Sequence, residues 1–458
     1  MNKLLKRWSW AAAAVIVACA AAASAQTAPD APAPHVQALS STTRPATPPA
    51  DPEQNPAAHG KALQGPEVTL PELVEIALAR NPAIKSAYEH FEAQRARVPQ
   101  ARSLPDPMIS GGWMGNITPF SVQQGDPSSY RGLIVSQAFP FPGKRRLRGQ
   151  IADRQAQAAE WRAEGTRRQI VTEVKIAYYN YFYDTKAIAI TQKNKNLLEK
   201  LEDIAETRYR VGKGIEQDVL QAQVEVARID QKLIILDQQK ATAEARLNTL
   251  LYRDPDSPLP PPAPFTPAHF DSSLQSLYSL AHANDPQLEQ DRRIVEDTQD
   301  TVKLAQKSYQ PNFDVAYSYE QRPDMPSMNG VMVGVNIPIF FRSKQRESVI
   351  EASHNLIGAN RDLDERWTTV NYQIKQEYLA AKAAQKLMNL YREAIVPQST
   401  LALESAMSSY EVGKVDFLSM LDNFVFVLNY EVDYYQELSD FQTALARMEP
   451  LVGTDLTE

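Results

Sequence analysis

Cysteine is almost absent: Cys19 is the only one in 458 residues, so no intrachain disulfide framework or cysteine-built metal cluster is possible. The six histidines are scattered and show no HExxH or other paired spacing, which removes the common zinc signatures. There is no glycine-rich phosphate loop and no Gly-x-Ser-x-Gly turn, so neither nucleotide chemistry nor serine hydrolysis has its usual motif. Nothing here points to an enzyme or to a bound cofactor. An excess of positive charge is also missing: 48 Lys and Arg face 55 Asp and Glu, a formal net charge of -7. Nucleic acid as a partner would need a clustered basic face. Beyond the first 25 residues no run of about 20 apolar residues occurs, so no helix is expected to span a membrane.

What is present begins with an export signal. Lys3, Lys6 and Arg7 precede a short apolar core, and Ala23-Ser24-Ala25 offers a small-residue cleavage site, giving a signal peptide over residues 1–25. Cys19 follows Ile16-Val17-Ala18 and resembles a lipobox. If it is lipidated, the signal is residues 1–18; otherwise Cys19 is discarded with the rest. Residues 26–66, dense in Pro, Ala, Thr and Ser, are expected to be a disordered spacer.

The rest is organised around residues 144–210, which contain no proline and are filled with good helix formers. As one helix this stretch would run about 100 Å. Ile170, Val174, Ala177, Tyr181, Ile188, Leu198, Ala205 and Tyr209 fall on a near-seven-residue beat, the seam of a helix packed lengthwise on others. A return helix is expected over residues 217–252. Upstream, a short helix near residues 70–78 is broken at Asn81-Pro82, a second runs over residues 83–104, and residues 108–117 and 130–139 form a β-hairpin. The pattern then repeats after a proline-dense linker, residues 254–270. A short helix is broken at Asp285-Pro286, and another runs over residues 287–309. Two strands follow at residues 313–320 and 331–339, with apolar side chains at alternate positions. A second long helix is expected over residues 344–410, interrupted only at Pro397, and a last helix reaches Met448.

Leu73, Ala77, Asn81, Pro82, Ala101 and Pro107 match Leu277, Ala281, Asp285, Pro286, Ala305 and Pro311 at one offset. Tyr209-x-Val211-Gly212-Lys213 matches Tyr410-x-Val412-Gly413-Lys414. Two repeats, residues 67–253 and 271–458, are therefore expected. Each long helix should be opposed by two shorter ones stacked end to end. The fold class is mainly α with a small β part, built of duplicated long-helix hairpins. Four strands cannot close a barrel, and open edges are not tolerated in hydrocarbon. Several chains must pool strands, and three would make about twelve. On that reading Trp113, Tyr317 and Tyr319 face lipid or its interface, while Phe417, Phe424, Phe426, Tyr430 and Tyr434 pack between helices.

The duplicated plan, the corner Phe139-Pro140-Phe141-Pro142-Gly143-Lys144-Arg145 and the two Tyr-x-Val-Gly-Lys turns resemble the TolC-like outer-membrane efflux family, with the corner most similar to its heavy-metal branch (the CzcC and CusC kind). The resemblance spans residues 68 to the end. It implies a homotrimeric channel-tunnel: a shared barrel in the lipid of the outer membrane, and an α-helical tunnel in the periplasm. The tunnel would meet a periplasmic adaptor (membrane-fusion) protein and an inner-membrane pump of the resistance-nodulation-division type. It would serve as a passive exit duct for metal ions or small toxic compounds. It places Val211, Gly212, Lys213, Val412, Gly413 and Lys414 at the tips as adaptor contacts, and makes Asp422, with Asp218 as its first-repeat relation, candidates for a gate carboxylate ring. The family has a second aspartate at that tip; here Ser419 takes its place. The competing reading is a periplasmic coiled-coil adaptor or tether, which normally has one helical hairpin rather than two.

Overall fold

A computed structural model describes residues 65–116, 121–122 and 126–457, all within one compact unit, Asn55–Glu458. The signal peptide, Cys19 and nearly all of the spacer lie outside the described residues.

Helices α1 (Leu70–Arg80) and α2 (Pro82–Arg102) lead into strands β1 (Met108–Met114) and β2 (Tyr130–Phe139). The long helix α3 (Lys144–Arg210) and its return α4 (Glu216–Leu250) follow. The second half gives α5 (Leu274–Asn284), α6 (Pro286–Lys307), β3 (Asn312–Gln321), β4 (Met328–Asn336), α7 (Gln345–Leu390), α8 (Val396–Glu411) and α9 (Phe417–Val452). The halves correspond in detail. Asn81 caps α2 by accepting from the Ala83 amide at 2.9 Å, and Asp285 caps α6 by accepting from the Leu288 amide at 2.7 Å. Proline then opens both helices at the first turn, where its missing N–H costs nothing. Leu73 and Ala77, with their counterparts Leu277 and Ala281, are fully buried.

As the lengths require, α3 is opposed by two helices in succession. Lys195–Asp230 (2.6 Å) and Arg246–Glu173 (2.6 Å) tie it to α4, and Arg154–Glu296 (3.0 Å) ties it to α6. Helix α9 closes back on the first half, its Glu449 meeting Lys175 of α3 at 2.7 Å. The proline-dense linker is built into this core. Pro261 and Ala263 pair with Val68, the Tyr178 and Tyr181 hydroxyls donate to Ala263 O (2.9 Å) and Pro260 O (3.1 Å), and Phe265 packs on Phe182 at 4.5 Å.

Three expectations need correction. The break in the second long helix is a π-helical turn, Tyr391–Ile395, before Pro397 rather than at it. Proline has no N–H for residue 393 to accept from and its ring crowds that carbonyl, so the turn upstream widens. Strand β4 ends at Asn336, leaving Ile337 and Ile339 outside it, because Pro338 cannot continue the ladder. Phe426 is not core: it is 52% exposed and stacks on Tyr430 at 6.2 Å. Phe417 and Phe424 are buried as expected.

The four strands form one antiparallel sheet in the order β1-β2-β3-β4. The register sorts its faces. Ile109 pairs with Val135, Val135 with Tyr317 and Tyr317 with Val331; Leu133 pairs with Tyr319, Val315 with Val333, and Phe313 with Val335. Trp113 joins this face opposite Arg131. Residues opposed across a ladder share a face, so these apolar side chains make one surface, largely exposed in the single chain, with Val331 at 73%. The other face is mixed but richer in small and polar residues: Ser110, Gly132, Ser136, Asp314, Ala316, Ser318, Glu320, Gly330 and Gly334 alternate there with Met108, Met114, Tyr130, Ile134 and Met332. A largely apolar face backed by one richer in small and polar residues is the alternation of a strand wall between lipid and water. No described helix is long and apolar enough to cross a membrane.

Candidate functional site: the helix tips

At the ends farthest along α3 and α8 from the sheet, the chain reverses twice by the same turn. Gly212 and Gly413 have φ of +71° and +74°, the left-handed conformation that glycine adopts without strain. Gly212 N donates to Tyr209 O (3.0 Å) and Gly413 N to Tyr410 O (2.9 Å), while Lys213 N and Lys414 N donate to Arg208 O and Ser409 O. Val211 and Val412 stand 62% and 68% exposed, and the Lys213 and Lys414 side chains are also exposed. The six tip residues picked from the sequence thus form two matching outward-facing knuckles.

The carboxylates differ. Asp422 is exposed on α9. Asp218, in the first turn of α4, is half-buried; burial pushes its pKa up, Arg208 opposes that, and Asp416 adds to it. Asp416 was not recognised in the sequence. It is the N-cap of α9, accepting from the Ser419 amide at 3.1 Å, and hydrogen bonds from the Ser419 hydroxyl and amide hold its carboxyl below the usual range. Its pattern, an Asp just before an apolar helical run, is a legible cap signal. In α4 the equivalent position is Ile215, which makes no side-chain cap.

The residue that joins the tips is Arg208, in the last turn of α3. Its Nη1 donates to Tyr410 O, and its guanidinium lies over the Tyr410 ring at 4.4 Å. Tyr410 in turn meets Phe417 edge-on at 5.6 Å. Tyr410 and Phe417 are 4% and 1% exposed and sit in a core that includes Leu201, Ala222, Leu403, Met420 and Phe424. A basic residue in a last helical turn is expected from the helix dipole. Its partner, 202 positions away, carries no local signal. Separating the tips would forfeit a charge-assisted hydrogen bond of about 1.5–3 kcal/mol and a cation–π contact of about 0.5–2 kcal/mol.

The sequence profile of the family described as outer membrane efflux protein matches residues 73–251 and 277–454. No curated protein matches the sequence at a significant level. Among solved structures, the Campylobacter jejuni CmeC outer membrane channel is similar with a TM-score of 0.72 at 17% identity, covering 85% of this chain and 87% of its own. The Vibrio cholerae outer membrane protein VceC is similar with a TM-score of 0.71 at 18% identity, covering 84% and 96%. CusC, solved in a study of folding and transmembrane channel formation, is similar with a TM-score of 0.73 at 15% identity, covering 92% and 99%. At these identities the likeness is one of fold.

Proposed function

Because the chain belongs to the outer membrane efflux protein family, we propose that it is a passive exit duct, one of three copies that share a barrel in the outer membrane and a helical tunnel in the periplasm. The observation that carries this reading is the sheet: one face largely apolar and exposed, the other richer in small and polar residues, and both outer strands, β1 and β4, without a strand partner on their far sides among the described residues. The helices that continue from it have the same need. Ile350, Ile357, Tyr372, Leu379, Leu387 and Leu401 are all at least 38% exposed and recur at seven- or eight-residue steps, or at multiples of them, along α7 and α8. A neighbouring copy packed against that seam, with its β1 on this β4, repeats the contact head-to-tail until the ring closes. Twelve strands are within the range of outer-membrane barrels.

On this proposal an inner-membrane pump of the resistance-nodulation-division type drives the solute. A periplasmic adaptor meets the knuckles at Val211 to Lys213 and Val412 to Lys414, and its binding spreads the tips. Asp422 and Asp218 are the gate carboxylates, with Asp218 beside the Arg208–Tyr410 link. Cys19 is a lipid anchor if its lipobox is read. The corner from Phe139 to Arg145 favours metal ions over other small toxic compounds as cargo. Any such preference would lie in the pump, since among the described residues no group of three or more His, Cys, Asp or Glu is disposed to hold a metal.

Conductance in planar bilayers tests the proposal. The unmodified protein should form narrow, mostly closed pores. Arg208→Ala should raise resting conductance severalfold, because it removes contacts worth about 2–5 kcal/mol from each copy's closed tip. Asp422→Ala should raise it less. A protein that never conducts, or an Arg208→Ala pore identical to the unmodified one, contradicts the reading.

A further inference from the structure

Midway along α3, Asp184 is 6% exposed and has no hydrogen-bond or ion-pair partner among the described residues. A carboxylate largely withdrawn from bulk water without a protein donor is costly, and here it is reached only through the cavity it lines. Burial pushes its pKa up to about 6, so near neutral pH it is still mostly ionised, with no cation of the described residues paired to it. It lines a cavity of about 400 Å³ between α3, α4 and α9, together with Asn180, Tyr183, Gln238, Thr242, Arg246 and Gln436.

The lining is rich in acceptors. Gln238 Nε2 donates to Thr242 Oγ1 (2.9 Å), and the Thr242 hydroxyl donates to Gln238 O (2.9 Å). Gln436 Nε2 donates to Asp440 Oδ1 (3.1 Å). Each glutamine has one of its two amide N–H donors engaged, and neither side-chain carbonyl oxygen accepts a hydrogen bond among the described residues, so both are free to accept. The nearby cations are engaged elsewhere: Arg246 with Glu173 at 2.6 Å on the rim, and Lys232 of α4 with Asn429 Oδ1 at 3.4 Å, its pKa lowered by burial against the opposing charge of Asp433. From α9, burial pushes the Glu437 pKa up, and the neighbouring charges of Asp440 and Asp433 add to it; burial likewise pushes up that of Tyr183, with Asp184, Asp433 and Asp440 adding to it. At about 30 Å³ per water molecule the cavity has room for a small organic molecule rather than a bare ion. A divalent metal would find a single carboxylate where it needs several.

We propose that this cavity binds a small organic cation bearing N–H donors, an alkylammonium or a guanidinium, through an ion pair to Asp184 and hydrogen bonds to the Gln238 and Gln436 amide oxygens. The inference rests on these residues and not on the reading of the chain as a duct.

Calorimetric titration of the full-length, detergent-solubilised protein with n-butylammonium tests it. Saturable binding near neutral pH is expected, with about one site per chain. Asp184→Asn should weaken it at least about tenfold. That variant removes a buried charge and is not expected to impair folding. Gln436→Met, of similar volume, should weaken binding by a smaller factor. Lowering the pH to about 5 should weaken binding to the unmodified protein as Asp184 takes a proton, and this dependence should be flatter in Asp184→Asn, where only the α9 carboxylates titrate. Tetramethylammonium, which has no N–H, should bind more weakly. Absence of saturable binding, equal binding by Asp184→Asn, or equal binding of tetramethylammonium would each overturn the proposal.

Discussion

Val331→Arg is expected to block membrane assembly, whereas Met332→Arg, one residue along the same strand, is expected to assemble. Val331 lies near the middle of β4, opposite Tyr317, on the face that carries Val135, Tyr319 and Val333. Met332 points to the other face, opposite Ala316 and beside Ser318 and Gly334. A guanidinium on the lipid face near mid-membrane costs about 2–4 kcal/mol, and a three-copy barrel bears that cost three times. On the aqueous face the same side chain stays hydrated. The readout is the fraction of each variant recovered as assembled protein in the outer-membrane fraction. Similar recovery of the two variants would mean that the exposed apolar face does not meet lipid.

The second large effect lies in the helical core. Lys175 of α3 is 5% exposed and donates to Glu449 (2.7 Å), Asp455 (3.0 Å) and the Thr457 hydroxyl (2.8 Å). Glu449, 8% exposed, also accepts from the Leu456 and Thr457 amides at 3.0 and 3.1 Å. The cluster straps the last residues across α9 and joins the two repeats. Lys175→Met would leave Glu449 buried without its counter-ion, a loss of about 3–5 kcal/mol. Burial already raises the Glu449 pKa, with Lys175 opposing that rise. A group whose folded pKa is raised favours folding most when protonated, and that advantage fades as pH rises through the folded value. In Lys175→Met the rise is larger, so the loss should be greatest at neutral pH and shrink on acidification. Adding Glu449→Gln should recover much of the stability. Thermal unfolding followed by helical circular dichroism at both pH values checks this. A loss independent of pH and unrelieved by Glu449→Gln would assign the effect to packing alone.

The parts that were legible in the sequence are those with local causes. Asn81-Pro82 and Asp285-Pro286 each carry a cap and a first-turn proline. Gly212 and Gly413 end their helices by a conformation other residues resist. The 67 residues of α3 lack any breaker. The alternation of Phe313, Val315, Tyr317 and Tyr319 shows a strand with two unlike faces. What stayed hidden depends on residues far apart in the chain. Arg208 meets Tyr410 across 202 positions and Lys175 meets Glu449 across 274, and no periodicity marks either pair. Asp184 reads as one more carboxylate on a charged helix until α4 and α9 enclose it. Asp416 differs from these, since its cap has a local cause: an Asp just before an apolar helical run is a cap signal in the sequence itself.

The central claim is that β1 and β4, which have no outer strand partner among the described residues, are completed by neighbouring copies that close the wall. The most direct test is the molar mass, by light scattering with the detergent contribution subtracted, of the particle extracted from the outer membrane. A particle of three chains is the result expected here. A stable, single-chain particle with the same helical content would contradict it.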